Sequence, residues 1–137
     1  MKNIVLDTNC LLVCIAARSR YHNVWTAFLN EDYHLCVSNE IMNEYEEILA
    51  KRISPSFADM IIQIILNSEN VVFAHPTFRF NLITADPDDN KFVDCAIVAN
   101  ADYIVSQDKH FNVLKKIDFP KVNIINIDTF SKMISIF

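Results

Sequence analysis

The chain has 137 residues, of which 52% are hydrophobic and 21% are charged, so we expect a single domain over residues 1–137 with a well-filled core. No apolar stretch approaches the ~20 residues that cross a bilayer, and the N-terminus lacks a signal-peptide pattern, so we expect a cytoplasmic protein with no membrane partner. The absence of glycine excludes the glycine-rich loops that bind nucleotides, and a net charge of −5 disfavours a broadly basic surface for nucleic acids.

The hydrophobic pattern alternates strands with helices along the chain. Short continuous apolar runs are typical of strands buried on both faces of a parallel sheet, whereas apolar residues at helical spacing mark amphipathic helices. In chain order the pattern predicts strand 3–6, helices 10–17 and 24–29, strand 33–37, helices 41–49 and 55–67, strand 71–73, helix 86–97, strands 103–105 and 122–127, and helix 129–136. This alternation predicts a three-layer α/β/α sandwich around a mainly parallel sheet of about five strands.

Polar residues at the predicted helix starts indicate caps. Ser38 or Asn39 is expected to cap the helix 41–49, and Asp86 to cap the helix that follows it, with Pro87 at the first helical position. The four cysteines have no paired spacing, so we expect buried, reduced thiols and no zinc site.

Acidic residues gather around the carboxyl ends of the predicted strands. Asp7 follows the first strand directly, and Asp108 follows the strand 103–105. Asp89 lies in the first turn of the helix that leads into that strand, and Glu44 lies about one and a half turns into the helix after the second strand. Because ligands of open parallel sheets bind outside the carboxyl ends of the strands, these acids are expected near one point.

Four carboxylates at one point repel each other unless a cation lies between them. Mg²⁺ or Mn²⁺ accepts oxygen ligands and can activate water for attack on a phosphodiester. Each acid also has an ordinary structural interpretation, since Asp7 ends a strand, Asp89 favours a helix N-terminus and Glu44 belongs to a run of solvated acids. The residues alone therefore indicate a metal site without deciding between these interpretations.

Four segments carry a further pattern: V-L-D-T-N at 5–9, V-S-x-E-I-x-x-E-Y-x-E-I-L at 37–49, D-P-D-D-N-K-F at 86–92 and A-D-Y-I-V-S-Q-D at 101–108. In this order they resemble the PIN-domain nucleases, in particular the VapC-like toxins of bacterial toxin–antitoxin pairs. The resemblance implies a PIN-like fold and a metal-dependent endoribonuclease that hydrolyses RNA phosphodiester bonds. It also implies a small antitoxin partner and a homodimer.

The resemblance carries specific roles over to residues of this chain. The metal ligands and catalytic acids that it implies are Asp7, Glu44, Asp89 and Asp108, with Mg²⁺ or Mn²⁺ as the cofactor. Asn9 and Ser106 are the groups expected to orient these carboxylates. Asp94, five residues beyond Asp89, either joins the site from the same helix or has a surface role. Asp86 and Asp88 are interpreted as caps.

Cationic residues near these acids are candidate contacts for RNA. Lys91, Lys109 and Arg52 are the candidates, although lysines and arginines at helix ends also complement the helix dipole or stay solvated. His110 is interpreted as a structural residue and not as a general base, because the metal already supplies the nucleophile.

Two other functions compete with the nuclease. A receiver-like phosphoacceptor domain also gathers aspartates around Mg²⁺, but it needs an acid beside Asp7 and a lysine after the last strand, and this chain has neither. A catalytically silent PIN-type module would act by binding partners. Trp25, Phe28 and Phe57 are candidate contacts for assembly and equally candidate core residues.

Overall fold

A computed structural model describes residues 1–136, which form five strands, six α-helices and two 3₁₀ helices. The strands are β1 (Asn3–Leu6), β2 (His34–Val37), β3 (Val71–Phe73), β4 (Tyr103–Val105) and β5 (Ile124–Ile125). The α-helices are α1 (Thr8–Ile15), α2 (His22–Leu29), α3 (Asn39–Arg52), α4 (Pro55–Leu66), α5 (Asn90–Val98) and α6 (Ile127–Ile134). The 3₁₀ helices span Pro87–Asp89 and Lys109–Lys116. The predicted α/β/α sandwich is confirmed.

The five strands form one parallel sheet in the order β3-β2-β1-β4-β5. From β1 the chain adds β2 and β3 on one side and then returns to add β4 and β5 on the other, so the strand order reverses between β1 and β4. Val5 faces Ile104 across this junction, and both side chains are fully buried. The carboxyl ends of β1 and β4 therefore meet at the point where open parallel sheets bind ligands.

Helices pack around this junction. Helix α5 packs on β1, β2 and β4, while α1 contacts α2 and α3, and α3 contacts α4. The hydroxyl of Tyr45 on α3 donates to the carbonyl oxygen of Leu6 at 2.6 Å, and both residues are buried. This bond fixes α3, the helix that carries Glu44, against the last residue of β1.

Helix caps follow the prediction closely. Of the two expected caps of α3, Ser38 is the one whose hydroxyl accepts from the backbone N–H of Ile41, at 3.3 Å. Asp86 caps the first 3₁₀ helix by accepting from the N–H of Asp88 at 3.2 Å, with Pro87 next to it as predicted.

The structure differs from the prediction at two places in the last third of the chain. The last strand is only Ile124–Ile125, instead of 122–127, because the side chain of Asn126 accepts from the N–H of Thr129 at 2.8 Å and starts α6 at Ile127. The 3₁₀ helix Lys109–Lys116 was not predicted, and it begins where the Asp108 side chain accepts from the N–H of His110.

Two of the three candidate assembly residues belong to the core. Trp25 and Phe28 are buried on α2, and Phe57 is partly buried against the core. Leu29, the last residue of α2, is exposed. The assembly interpretation of Trp25 and Phe28 is therefore replaced by core packing.

Without glycine, other residues take the left-handed backbone conformations. These are Glu31 (φ 62°), Asn81 (φ 53°) and Asn100 (φ 52°). Asparagine tolerates this conformation better than glutamate does, so Glu31, just after α2, carries the larger strain. The four cysteines are free and buried, as expected. Within residues 1–136, no helix has the length and apolar character needed to cross a membrane.

Candidate metal centre

Asp7 joins the ends of β1 and β4. Its carboxylate Oδ1 accepts from the N–H of Cys10 at 2.9 Å and so caps α1, while its own N–H donates to the carbonyl oxygen of Val105 at 3.1 Å. The side chain is buried, and burial raises the pKa of Asp7 above its usual value. A carboxylate that is held in place and partly deprived of water favours a positive partner.

Ser106 links Asp7 to Asp108. The Ser106 hydroxyl donates to Oδ2 of Asp7, and its oxygen accepts from the N–H of Asp108 at 2.9 Å. Ser106 is itself buried directly after β4. The residue that was expected to orient carboxylates thus lies between two of the four predicted ligands.

Asp86, Asp89, Asp108 and His110 form a compact group whose potential ligand atoms all lie within 4.8 Å of one another. We call this group the aspartate–histidine cluster. Within residues 1–136, Oδ2 of Asp89 and Nδ1 of His110 are buried without a hydrogen-bond partner. These two atoms are 3.6 Å apart, and His110 Nδ1 lies 3.2 Å from Oδ1 of Asp108. Orphaned buried polar atoms are costly, so their concentration here fits a site that receives a cation.

The electrostatics of the cluster point the same way. Burial, followed by the negative charges of Asp108 and Asp86, raises the pKa of Asp89 to about 7. An ordinary aspartate, with a pKa of about 3.9, is already fully ionised at pH 7. The donor set of three carboxylates and one imidazole also suits a divalent ion, so the residues present fit the metal that the resemblance implies.

Glu44 lies beside these acids but in a separate set of contacts. The Thr8 hydroxyl donates to its Oε2, and the Lys91 ammonium lies 2.7 Å from its Oε1. Lys91 also approaches Asp88 at 3.4 Å, and its side chain is only 11% exposed. Burial alone would lower the pKa of Lys91, but its contacts with Glu44 and Asp88 raise it overall. Lys91 thus neutralises Glu44, and its predicted contact with RNA would have to compete with this ion pair.

Two further predicted residues occupy places that differ from those expected. Asn9 is exposed, and within residues 1–136 no carboxylate accepts a bond from its amide. The residue that donates to a predicted ligand from this turn is Thr8, whose hydroxyl bonds the carboxylate of Glu44. Asp94 is buried, which excludes a surface role, and its Oδ1 accepts from the N–H of Phe80 at 3.2 Å. Asp94 lies outside the aspartate–histidine cluster.

Two grooves flank the candidate metal centre and carry opposite charge. A groove of about 260 Å³ beside Asp108 is lined by Lys109 and Lys115 together with asparagine side chains. A second groove, of about 340 Å³ and lined in part by Glu44, is mainly acidic. Arg52, the third predicted RNA contact, ends α3 eight residues after Glu44, about 12 Å further along the helix.

The sequence interpretation missed two members of the aspartate–histidine cluster. Asp86 was assigned only a cap, and it does cap the 3₁₀ helix, but the same turn brings it next to Asp89. His110 was assigned a structural role. The signal for both was close spacing to a predicted ligand, since Asp86 precedes Asp89 by three residues and His110 follows Asp108 by two.

Fold and site together define an α/β protein with an acidic cluster where the strand order of a parallel sheet reverses. The chain belongs to the PIN domain family, whose model matches residues 3–110.

Solved structures with the same fold include two complexes. One is VapBC2 from Rickettsia felis bound to a DNA fragment from its promoter, with a TM-score of 0.64 and 16% identity over 90% of this chain and 98% of that chain. The other is DNA-bound VapBC from Salmonella typhimurium, with a TM-score of 0.57 and 15% identity over 93% and 99% of the two chains. No curated protein sequence matches this chain significantly.

Proposed function

We propose that the protein is a divalent-metal-dependent endoribonuclease that hydrolyses RNA phosphodiester bonds with an activated water molecule. The observation that carries the proposal is the aspartate–histidine cluster, in which two buried polar atoms, Oδ2 of Asp89 and Nδ1 of His110, have no hydrogen-bond partner. It lies at the sheet edge where Asp7 is linked to Asp108 through Ser106. Membership of the PIN domain family supports a nuclease, and the carboxylate oxygens support Mg²⁺ or Mn²⁺ as the cofactor.

The residues that would hold the cation are Asp7, Asp89 and Asp108, with Glu44 at the edge of the site. When bound, the cation supplies Lewis acidity that activates water and stabilises the charge that develops on the phosphodiester. Ser106 donates to Asp7 and accepts from the backbone of Asp108, so both carboxyl groups keep their orientation before substrate binds.

The charge of the two flanking grooves favours one path for RNA. The backbone of RNA is anionic, so it is repelled by the acidic groove beside Glu44 and attracted by the groove that contains Lys109 and Lys115. Within residues 1–136 neither lysine forms a salt bridge, which leaves both ammonium groups free for phosphates. Lys109 therefore keeps its proposed role, and Lys115 joins it.

The same proposal includes a partner. The two similar structures are VapBC complexes, and the resemblance to VapC-like toxins implies a small antitoxin that neutralises the nuclease and a homodimeric toxin. We infer that this chain is such a toxin. Induced expression of the wild type should then arrest bacterial growth, whereas Asp7→Asn should not.

The alternatives have less support. The flavodoxin-like fold of receiver domains has the strand order 2-1-3-4-5. Here the order is 3-2-1-4-5, with β1 between β2 and β4. A silent PIN-type binding module would not need to hold Asp89 close enough to Asp108 and Asp86 to be repelled by them, nor to bury Asp7.

The proposal is tested by incubating labelled single-stranded RNA with the wild type and with Asp7→Asn in Mg²⁺, in Mn²⁺ and in chelator. Asparagine still caps a helix and is neutral, so this variant removes the charge while α1 keeps its cap. Asp59→Asn, on the exposed face of α4, is the matched control. We expect cleavage only with metal, unchanged in the control and lost in Asp7→Asn. Metal-independent cleavage, or equal cleavage by Asp7→Asn, contradicts the proposal.

A further inference from the structure

We propose that Nδ1 of His110 is a ligand of the same cation that Asp89 and Asp108 bind, and that this nitrogen makes the metal site selective for Mn²⁺ over Mg²⁺. The inference rests on the proposed metal site and adds a ligand and a metal preference to it.

The position of the imidazole carries the inference. Nδ1 of His110 is buried and has no hydrogen-bond partner within residues 1–136, although Oδ1 of Asp108 lies 3.2 Å away and Oδ2 of Asp89 lies 3.6 Å away. Oδ2 of Asp89 is likewise buried and unpartnered. Adjacent ligands around an octahedral ion with bonds of about 2.1 Å are about 3 Å apart. Three ligand atoms at such spacings lie within reach of one ion.

Local packing holds the segment that carries the His110 imidazole next to the carboxylates of Asp89 and Asp108. The N–H of His110 donates to Oδ1 of Asp108 at 2.8 Å, which fixes the first turn of the 3₁₀ helix Lys109–Lys116. Phe111, the next residue, is fully buried and stacks edge-on against Phe92 of α5. The start of the helix is therefore anchored, and from it the His110 side chain places Nδ1 beside the carboxylates of Asp108 and Asp89.

The chemistry of the nitrogen sets the preference. Mg²⁺ is a small, hard ion that strongly prefers oxygen ligands and retains its waters. Imidazole is a softer donor that suits transition-metal ions, so replacing an oxygen ligand by Nδ1 costs Mg²⁺ more than it costs Mn²⁺. A purely carboxylate site would lack this discrimination.

A simpler role for His110 is that of a cationic partner for Asp89 and Asp108, without any contact to a metal. The two roles give different results when metals are exchanged. A counter-charge would leave the ratio of Mn²⁺ to Mg²⁺ affinity unchanged on removal of the ring, whereas loss of a nitrogen ligand lowers that ratio.

The test is the binding of Mn²⁺ and of Mg²⁺ alone, by calorimetric titration, to the wild type, His110→Ala, His110→Gln and His75→Ala. His75 is exposed and stacks on Phe73 away from the cluster, so its variant is the matched control. We expect the ratio of Mn²⁺ to Mg²⁺ affinity to fall at least tenfold in His110→Ala and to stay at the wild-type value in His75→Ala. His110→Gln, which offers an amide oxygen, should retain metal binding without the preference for Mn²⁺.

Pulsed electron paramagnetic resonance of the Mn²⁺-loaded protein gives an independent readout. A ¹⁴N coupling should be present in the wild type and in His75→Ala and absent in His110→Ala. An unchanged affinity ratio in His110→Ala, or no ¹⁴N coupling in the wild type, overturns the assignment while the nuclease proposal stands, provided that Mn²⁺ binds and RNA is cut. A wild type that binds neither ion overturns both.

Discussion

Neutralising Asp89 should stabilise the protein when no metal is present, although it removes a proposed metal ligand. Burial and the charges of Asp108 and Asp86 raise the pKa of Asp89 to about 7, so ionisation of this carboxyl is opposed by the folded structure. The Asp89→Asn variant has no such charge to accommodate. In chelator at pH 8 we therefore expect the variant to have the higher free energy of unfolding.

The size of the effect follows from the two pKa values. A rise in the pKa of Asp89 from its ordinary value of 3.8 to about 7 corresponds to roughly 4.5 kcal/mol at about 1.4 kcal/mol per pKa unit. Solvent around this partly exposed carboxyl screens the repulsion, so we expect about 1–2 kcal/mol. Between about pH 4 and pH 7 the folded protein holds a proton on Asp89 that the unfolded chain releases. The destabilisation caused by Asp89 is therefore absent below about pH 4, grows as the pH rises toward 7 and is complete above it.

Urea unfolding of the wild type, Asp89→Asn and the control Asp59→Asn at pH 4.5 and pH 8 measures this penalty directly. The free energy of unfolding of Asp89→Asn should exceed that of the wild type at pH 8, and most of this difference should be lost at pH 4.5. The control should have nearly the same free energy of unfolding as the wild type at both pH values. Saturating Mn²⁺ should make the wild type more stable than the variant at pH 8. A ligand at 100 times its Kd stabilises the protein that binds it by about 2.7 kcal/mol, and the variant is expected to bind Mn²⁺ weakly. A variant that is no more stable than the wild type in chelator at pH 8 refutes the electrostatic argument.

Three further predictions concern other parts of the molecule. Glu31→Gly should raise the stability by about 1 kcal/mol and Tm by a few degrees, since glycine relieves the left-handed strain at φ 62°; an unchanged Tm would show that the strain is negligible. The double variant Lys109→Ala with Lys115→Ala, made in a non-cleaving background, should bind single-stranded RNA more weakly. The fall of the logarithm of the binding constant with the logarithm of the salt concentration should become shallower by about 1.4. An unchanged slope would show that RNA does not follow this groove. Glu44→Gln should weaken Mn²⁺ binding at least about tenfold, whereas Glu46→Gln, exposed on the same helix, should not, as titration calorimetry can test.

Most of the fold was predictable because the signals were local and consistent. The apolar run 3–6, the helical spacing of Ile41, Tyr45 and Leu49, and the cap at Ser38 each specify one structure. The end of the last strand was not predictable from hydrophobicity, because Ile127 is as apolar in a helix as in a strand. The cap made by Asn126 decides that boundary, and it depends on a side-chain bond to Thr129.

The candidate site was predictable for the acids at the sheet edge and for the contacts of Ser106, but not for its remaining contacts. Topology brings Asp7 and Asp108 to the junction of β1 and β4, which strand order alone implies. The pairing of Lys91 with Glu44 and the inward direction of His110 depend on rotamers and turns that sequence spacing does not define. For the same reason, Thr8 and not Asn9 was found beside Glu44.

The most direct test of the proposed hydrolysis is the chemistry of the RNA ends that the protein leaves. If activated water is the nucleophile, cleavage with Mn²⁺ leaves linear phosphate ends, and a substrate with a single 2′-deoxy nucleotide at the cut position is still cleaved. Asp108→Asn should yield no product, while Asp118→Asn, on an exposed residue nearby in the chain, should cut like the wild type. A 2′,3′-cyclic phosphate product, or loss of cleavage with the deoxy substrate, would mean that the RNA 2′-hydroxyl is the nucleophile and would contradict hydrolysis at this site.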